Sequence, residues 1–223
     1  GVELDLAMTL EHRDRLRRDP AHHRSDLPAF GLRRSNRQRM EDDSAEEAVM
    51  SALLEINNIS HRFGGLHVLR GVNFEVPKGA ITGLIGPNGA GKSTLFSMIA
   101  GEQKPDSGAI SMLGRDISSL PAQDRTRIGI GRTFQIPRPF EGMSVFENLL
   151  VFATSGAGLH GHAAYTRAAE TGERVGLGDV LNAQAGSLGL LARKRLELAR
   201  GLASDPTVLL LDEVAGGLTE PEV

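Results

Sequence analysis

The chain has 223 residues, 24% of them charged, with a formal net charge of −3. That is enough material for one sizeable core and gives no support to bulk attraction for nucleic acid. With no cysteine disulfides are excluded and a reducing cytoplasm is the expected setting. No stretch approaches the roughly 18 apolar residues of a membrane-spanning helix, so any role in transport requires a separate spanning partner.

Residues 1–50 stand apart. Twenty of them are charged, with nine arginines, eleven acids and no lysine. Basic clusters surround Arg15 and Arg37, and residues 41–47 are acidic. Residues 1–19 also lack the apolar centre of a secretory signal. So little apolar surface does not offset the entropy of ordering, which predicts a charged, disordered leader over 1–50. A solvated tail and an arginine grip on anionic lipid or RNA are both open readings of it.

From residue 51 the pattern is regular. Leu54, Ile56 and Ile59 alternate with polar neighbours, the period of a half-buried strand. Gly64 and Gly65 make a turn, and a second strand returns over 68–76. Phe63, just before the turn, suits either a core position or a ring stacked on a flat ligand. A further strand leads into residues 86–93, after which strands are expected over 109–113 and 129–134 and a short helix over 121–127. Residues 136–187 read as a small helical insert, with helices over 145–154 and 163–175 around a glycine-rich break. A helix over 188–203 and a buried strand over 206–211 follow.

Gly86-Pro87-Asn88-Gly89-Ala90-Gly91-Lys92-Ser93 fits the phosphate-loop pattern G-x-x-x-x-G-K-[ST]. Its glycines let the backbone curl so that successive N–H groups converge on one anion. Lys92 can reach the β- and γ-phosphates of a nucleoside triphosphate, the Ser93 hydroxyl can ligate Mg²⁺, and the positive end of the next helix faces the same point. The apolar run Val208-Leu209-Leu210-Leu211 ends in Asp212-Glu213. A buried parallel strand would deliver Asp212 to the Mg²⁺ and Glu213 to the attacking water as general base.

These residues carry a family resemblance. Residues 53–223 resemble the ATP-binding subunits of ABC (ATP-binding cassette) transporters, most closely those of branched-chain amino acid importers. The matching phrases are G-P-N-G-A-G-K-S-T at 86–94, R-T-F-Q at 132–135, G-M-S-V-F-E-N-L-L at 142–150, R-L-E-L-A-R at 195–200 and L-L-L-D-E at 209–213. The resemblance implies an α/β fold: a P-loop ATPase core with an antiparallel β subdomain and a small helical subdomain. It implies ATP and Mg²⁺ as cofactors, with Thr94 beside Ser93 in the phosphate site and Phe63 stacked on adenine. Gln135 would touch Mg²⁺ and the attacking water while sensing the membrane subunit. The implied partners are integral-membrane permease subunits, a second ATP-binding subunit and, indirectly, an external solute-binding protein, with no nucleic acid. The implied place is the cytoplasmic face of the cell membrane.

Three departures accompany the match. Where the family carries L-S-G-G-Q, this chain has Leu188-Gly189-Leu190-Leu191-Ala192, without the hydroxyl that would contact the opposite subunit's γ-phosphate. After Glu213 the usual proline is Val214, and the aspartate expected to reach across the dimer is Thr219. No histidine follows His162, so the family's switch histidine has no counterpart: either a C-terminal truncation or an incomplete hydrolytic site, a nucleotide-binding module without turnover, is expected.

Overall fold

The computed structural model describes residues 2–9 and 52–212. One sheet is antiparallel: β2 (Ala52–Phe63) pairs with β3 (Leu66–Pro77) and with β5 (Ser107–Met112), and β6 (Arg115–Asp116) extends the far edge. The second sheet has the order β4 (Ile81–Pro87), β1 (Val2–Thr9), β8 (Val208–Leu211), β7 (Ile130–Arg132). Helix α1 (Lys92–Ile99) follows β4 directly, and α2 (Ala122–Arg127) precedes β7.

The alternation expected of β2 is present. Leu54, Ile56 and Ile59 are buried on one face, together with Ile110 and Met112 of β5. They meet Leu95, Phe96, Met98 and Ile99 of α1, whose other side packs on Ile130, Val208 and Leu210 of the second sheet. An eight-residue helix carrying four large apolar side chains has too many for one stripe, and a sheet on either side accommodates them. All four residues of β8 are buried, the pattern of a parallel strand covered on both faces.

Val2–Thr9 corrects the expectation of a disordered leader for those eight residues. The segment is a strand lying antiparallel between β4 and β8. Its V-E-L-D-L-A-M-T sequence alternates apolar and polar residues, a local pattern hidden when composition is averaged over fifty residues. Without it the facing edges of β4 and β8 would each leave backbone donors and acceptors unpaired inside the sheet. Residues 10–51 lie outside the described residues.

Leu6 pairs with Gly83 of β4 and with Leu211 of β8. The two strands are therefore parallel to each other and two strand spacings apart, about 10 Å. Both run toward the same end of the sheet, where β4 enters the phosphate loop and β8 ends at Asp212.

A second core unites α3 (Val145–Ser155), α4 (Gly161–Arg174) and α5 (Leu190–Ala203) around Val145, Leu149, Ala168, Leu196, Ala199 and Ala203. Helix α3 begins in a capping box. Ser144 Oγ accepts from the Glu147 backbone at 3.1 Å, and Glu147 Oε2 accepts from the Ser144 backbone at 2.7 Å. These bonds hold the Glu147 carboxyl below the usual glutamate range, the Ser144 backbone bond contributing most. The cap thus adds stability that is present above the unfolded-state glutamate pKa and is lost as pH falls through the lowered folded value. Glu147→Gln is expected to flatten the acid limb of the stability–pH curve, measured by denaturant midpoints across pH.

Arg125 of α2 is almost wholly buried and unites three segments. Its guanidinium donates to the carbonyls of Met98 (2.6 Å) and Ile99 (2.9 Å) at the end of α1, and to those of Leu120 (3.0 Å) and Ser118 (2.9 Å). Arg125→Met would leave four carbonyls short of a donor. Urea denaturation is expected to show a loss of about 2–4 kcal/mol.

Candidate nucleotide site

The phosphate loop forms where β4 turns into α1. Ala90 N donates to Pro87 O at 3.1 Å, closing the turn. Asn88, Gly89, Ala90 and Ser93 are exposed, so the loop faces solvent. Lys92 is buried along its length, and its Nζ donates back to Gly86 O (2.9 Å) and Pro87 O (3.3 Å). The ammonium therefore sits across the mouth of the curl.

Gly91, the N-cap of α1, adopts φ 91°. A Cβ there would come within 2.8 Å of a Leu69 methyl and 3.1 Å of the Val68 carbonyl. The β2–β3 hairpin is thus pressed against the loop, and only glycine permits both the backbone angle and the contact. The same hairpin carries Phe63 at its tip, paired with Leu66 and half exposed.

Asp212 is buried at the end of β8, and its two oxygens differ. Oδ2 accepts from Arg132 Nη2 at 3.3 Å, whereas Oδ1 is buried with no hydrogen-bond partner among the described residues. A buried carboxylate oxygen left this way is costly unless something else coordinates it. That vacancy in its bonding fits a Mg²⁺ ion or its bound water, supplied with a nucleotide at the loop. Asp212 and Ser93 are the residues that would hold it.

Arg132 ties this carboxylate to the phosphate-loop helix. Its Nη1 donates to Ser97 Oγ of α1 (2.8 Å) and to Glu102 (2.7 Å), and its guanidinium lies 5.2 Å from the centre of the Phe134 ring. The next residue completes the connection: Thr133 N donates to Leu210 O at 2.9 Å, and Asp212 N donates to Thr133 Oγ1 at 3.4 Å. Arg132 and Thr133 of the R-T-F-Q phrase therefore lie along the end of β8, with Gln135 exposed two residues past Thr133. Strand β7 ends at Arg132, earlier than the 129–134 expected from sequence.

The segment beyond Gln135 is anchored by residues that the sequence did not single out. Glu197 of α5 accepts from Phe134 N (3.3 Å) and pairs with Arg200 (2.8 Å). Arg200 donates to Arg138 O and lies between the rings of Phe140 and Phe152, 5.2 and 4.4 Å from their centres. Burial pushes the Arg200 guanidinium pKa down and its Glu197 partner opposes that. Asn148, fully buried on α3, accepts from Phe140 N and donates to Phe140 O. In the sequence Asn148, Glu197 and Arg200 stand inside the G-M-S-V-F-E-N-L-L and R-L-E-L-A-R phrases, which carried no role for them individually.

The segment 188–192 lies at the start of α5. Gly189 is its N-cap, with no side-chain capping bond, and Leu190 is exposed. The missing hydroxyl leaves this helix end to its backbone N–H groups alone. Glu213, Val214 and Thr219 lie outside the described residues.

A glycine-rich strand–helix turn, a lysine folded over it and a buried carboxylate at the same sheet end define a P-loop nucleotide-binding domain. The chain belongs to the ABC transporter family, whose sequence model matches residues 69–216. It is 40% identical over 184 residues to the high-affinity branched-chain amino acid transport ATP-binding protein LivG of Escherichia coli K12, covering 76% of this chain and 72% of LivG. BraF of Pseudomonas aeruginosa, with the corresponding description, is 39% identical over the same length. Nod factor export ATP-binding protein I of Burkholderia lata is 38% identical over 167 residues, which is 54% of that protein. Among solved structures, an ATP-binding cassette of an ABC transporter in its ADP conformation superimposes with a TM-score of 0.59 at 30% identity. That match covers 70% of this chain and 66% of the cassette.

The loop geometry separates two glycines. Gly91→Ala should weaken nucleotide binding by about tenfold or more and cost about 1–3 kcal/mol of stability, because strain and collision coincide. Gly89→Ala, at φ 81° with nothing within 4 Å of a Cβ, should cost only about 1 kcal/mol. Nucleotide titration calorimetry and denaturant unfolding of both variants check the contrast.

Proposed function

We propose that this chain is the ATP-binding and ATP-hydrolysing subunit that energises a membrane importer for branched-chain amino acids. The observation that carries the reading is the buried, unpartnered Asp212 Oδ1 at the sheet end that bears the phosphate loop. The likeness to LivG and BraF supplies the transport system and its solute class.

In this reading the exposed loop from Gly86 to Thr94 binds the triphosphate, Lys92 neutralises its β- and γ-phosphates, and Phe63 stacks on the base. Ser93 and Asp212 hold Mg²⁺, which stabilises charge on the transferring phosphoryl group. Gln135 positions the water, and Glu213 takes its proton. Most of the chemistry is positioning and charge stabilisation, so rigidity of the Arg132–Asp212–Ser97 connection matters as much as any single donor.

Two copies would face each other, each loop opposite the other's 188–192 segment. Closure of the pair would drive permease subunits, and hydrolysis would release it. An external binding protein would deliver the solute to the permease. No helix among the described residues is long and apolar enough to cross a membrane; the likeness to LivG and BraF supports a peripheral place on the inner, cytoplasmic face against those subunits. The likeness to a Nod factor export protein favours a second reading, an exporter ATPase. Co-purification with its permease decides between them.

Lys92→Ala is expected to abolish ATP binding at concentrations that saturate the wild type. Glu213→Gln should retain binding while phosphate release falls by about 100-fold or more. Normal turnover by the glutamine variant would refute the general-base assignment.

A further inference from the structure

His61 lies two residues before Phe63 on β2, and its side chain is buried at 8% exposure although both ring nitrogens are polar. Gln103 Nε2 lies 2.8 Å from His61 Nε2, a hydrogen bond between the two side chains. Nδ1 lies 3.3 Å from Asp106 Oδ1 without a hydrogen bond among the described residues. The other Asp106 oxygen accepts from Arg62 N at 2.8 Å, and Asp106 N donates to Ser60 O at 3.0 Å. The turn holding Gln103 and Asp106 is itself fastened to α1, since Glu102 N and Gln103 N both donate to Ser97 O. The end of β2 is thus tied to the phosphate-loop helix through the imidazole.

The ring has one further contact. Phe63 meets it edge to face, with centroids 4.7 Å apart and planes at 88°. The Phe63 ring is therefore held against His61, while half of the residue remains open to solvent. A free phenylalanine at a two-residue glycine turn would sample several rotamers and lose that freedom on stacking. A ring already set perpendicular to a rigid neighbour loses less.

We infer that His61 is a positioning residue that sets the Phe63 ring for stacking on the nucleotide base, through its anchorage on Gln103. The inference rests on the reading of Phe63 as the base-stacking residue. It assigns His61 no contact with the phosphates.

The test compares binding of ATP with binding of inorganic tripolyphosphate, which carries phosphates but no base, by calorimetry on the full chain. His61→Ala and Phe63→Ala should each weaken ATP roughly 3- to 10-fold, the scale of one aromatic pair. Tripolyphosphate binding should stay within about twofold of wild type for both. The double variant should bind ATP no more weakly than Phe63→Ala alone, since the two residues act as one unit. Gln103→Ala, which cuts the anchor without opening the core, should weaken ATP roughly 2- to 5-fold. The inference is overturned if His61→Ala weakens tripolyphosphate as much as ATP, because the histidine then supports the loop as a whole. It is equally overturned if His61→Ala or Gln103→Ala binds ATP normally while Phe63→Ala does not. Normal ATP binding by Phe63→Ala would remove the stacking assignment, and the role of His61 with it.

Discussion

Three elements distant in sequence meet at one guanidinium. Arg132 at the end of β7 holds Ser97 on the phosphate-loop helix, Glu102 just past it, and one oxygen of Asp212 at the end of β8. Buried charges persist only where they are paired and hydrogen-bonded, so this arrangement constrains all three elements at once. It leaves the second Asp212 oxygen unpartnered. A site that must receive a cation needs such an oxygen, held in place by interactions on its other side.

The same logic recurs further from the loop. Arg125 gathers the carbonyls at the end of α1, and Arg200 gathers Glu197, Arg138 and two phenylalanines around the segment after Gln135. In each case a planar, multiply donating cation joins irregular backbone to a helix. The two sheets share one apolar core with α1, the helical cluster has another, and the arginines sit at the seams. The phosphate loop, the Gln135 segment and Asp212 are all positioned by seams, so motion of the helical cluster would be felt directly at the nucleotide site.

Much was legible in the linear chain. The phosphate loop declares itself because a tight anion-binding curl needs glycines at fixed positions, and strand and helix periods on either side are local properties. Strands β2, β3, β5 and β8 and helices α3, α4 and α5 follow from alternation, helical spacing and glycine breaks. The strand Val2–Thr9 was not legible, since its partners lie about 75 and 200 residues away and the charged surroundings dominate its composition.

By itself, then, the sequence marked the candidate residues for phosphate and metal, because such candidates depend on residue type and short spacing. Only the tertiary structure decided that Asp212 presents one bound and one open oxygen, that Arg132 and Thr133 lie along β8, and that His61 backs Phe63. Each of those facts depends on pairing across tens of residues. Burial and hydrogen-bond geometry, not local propensity, select such pairings.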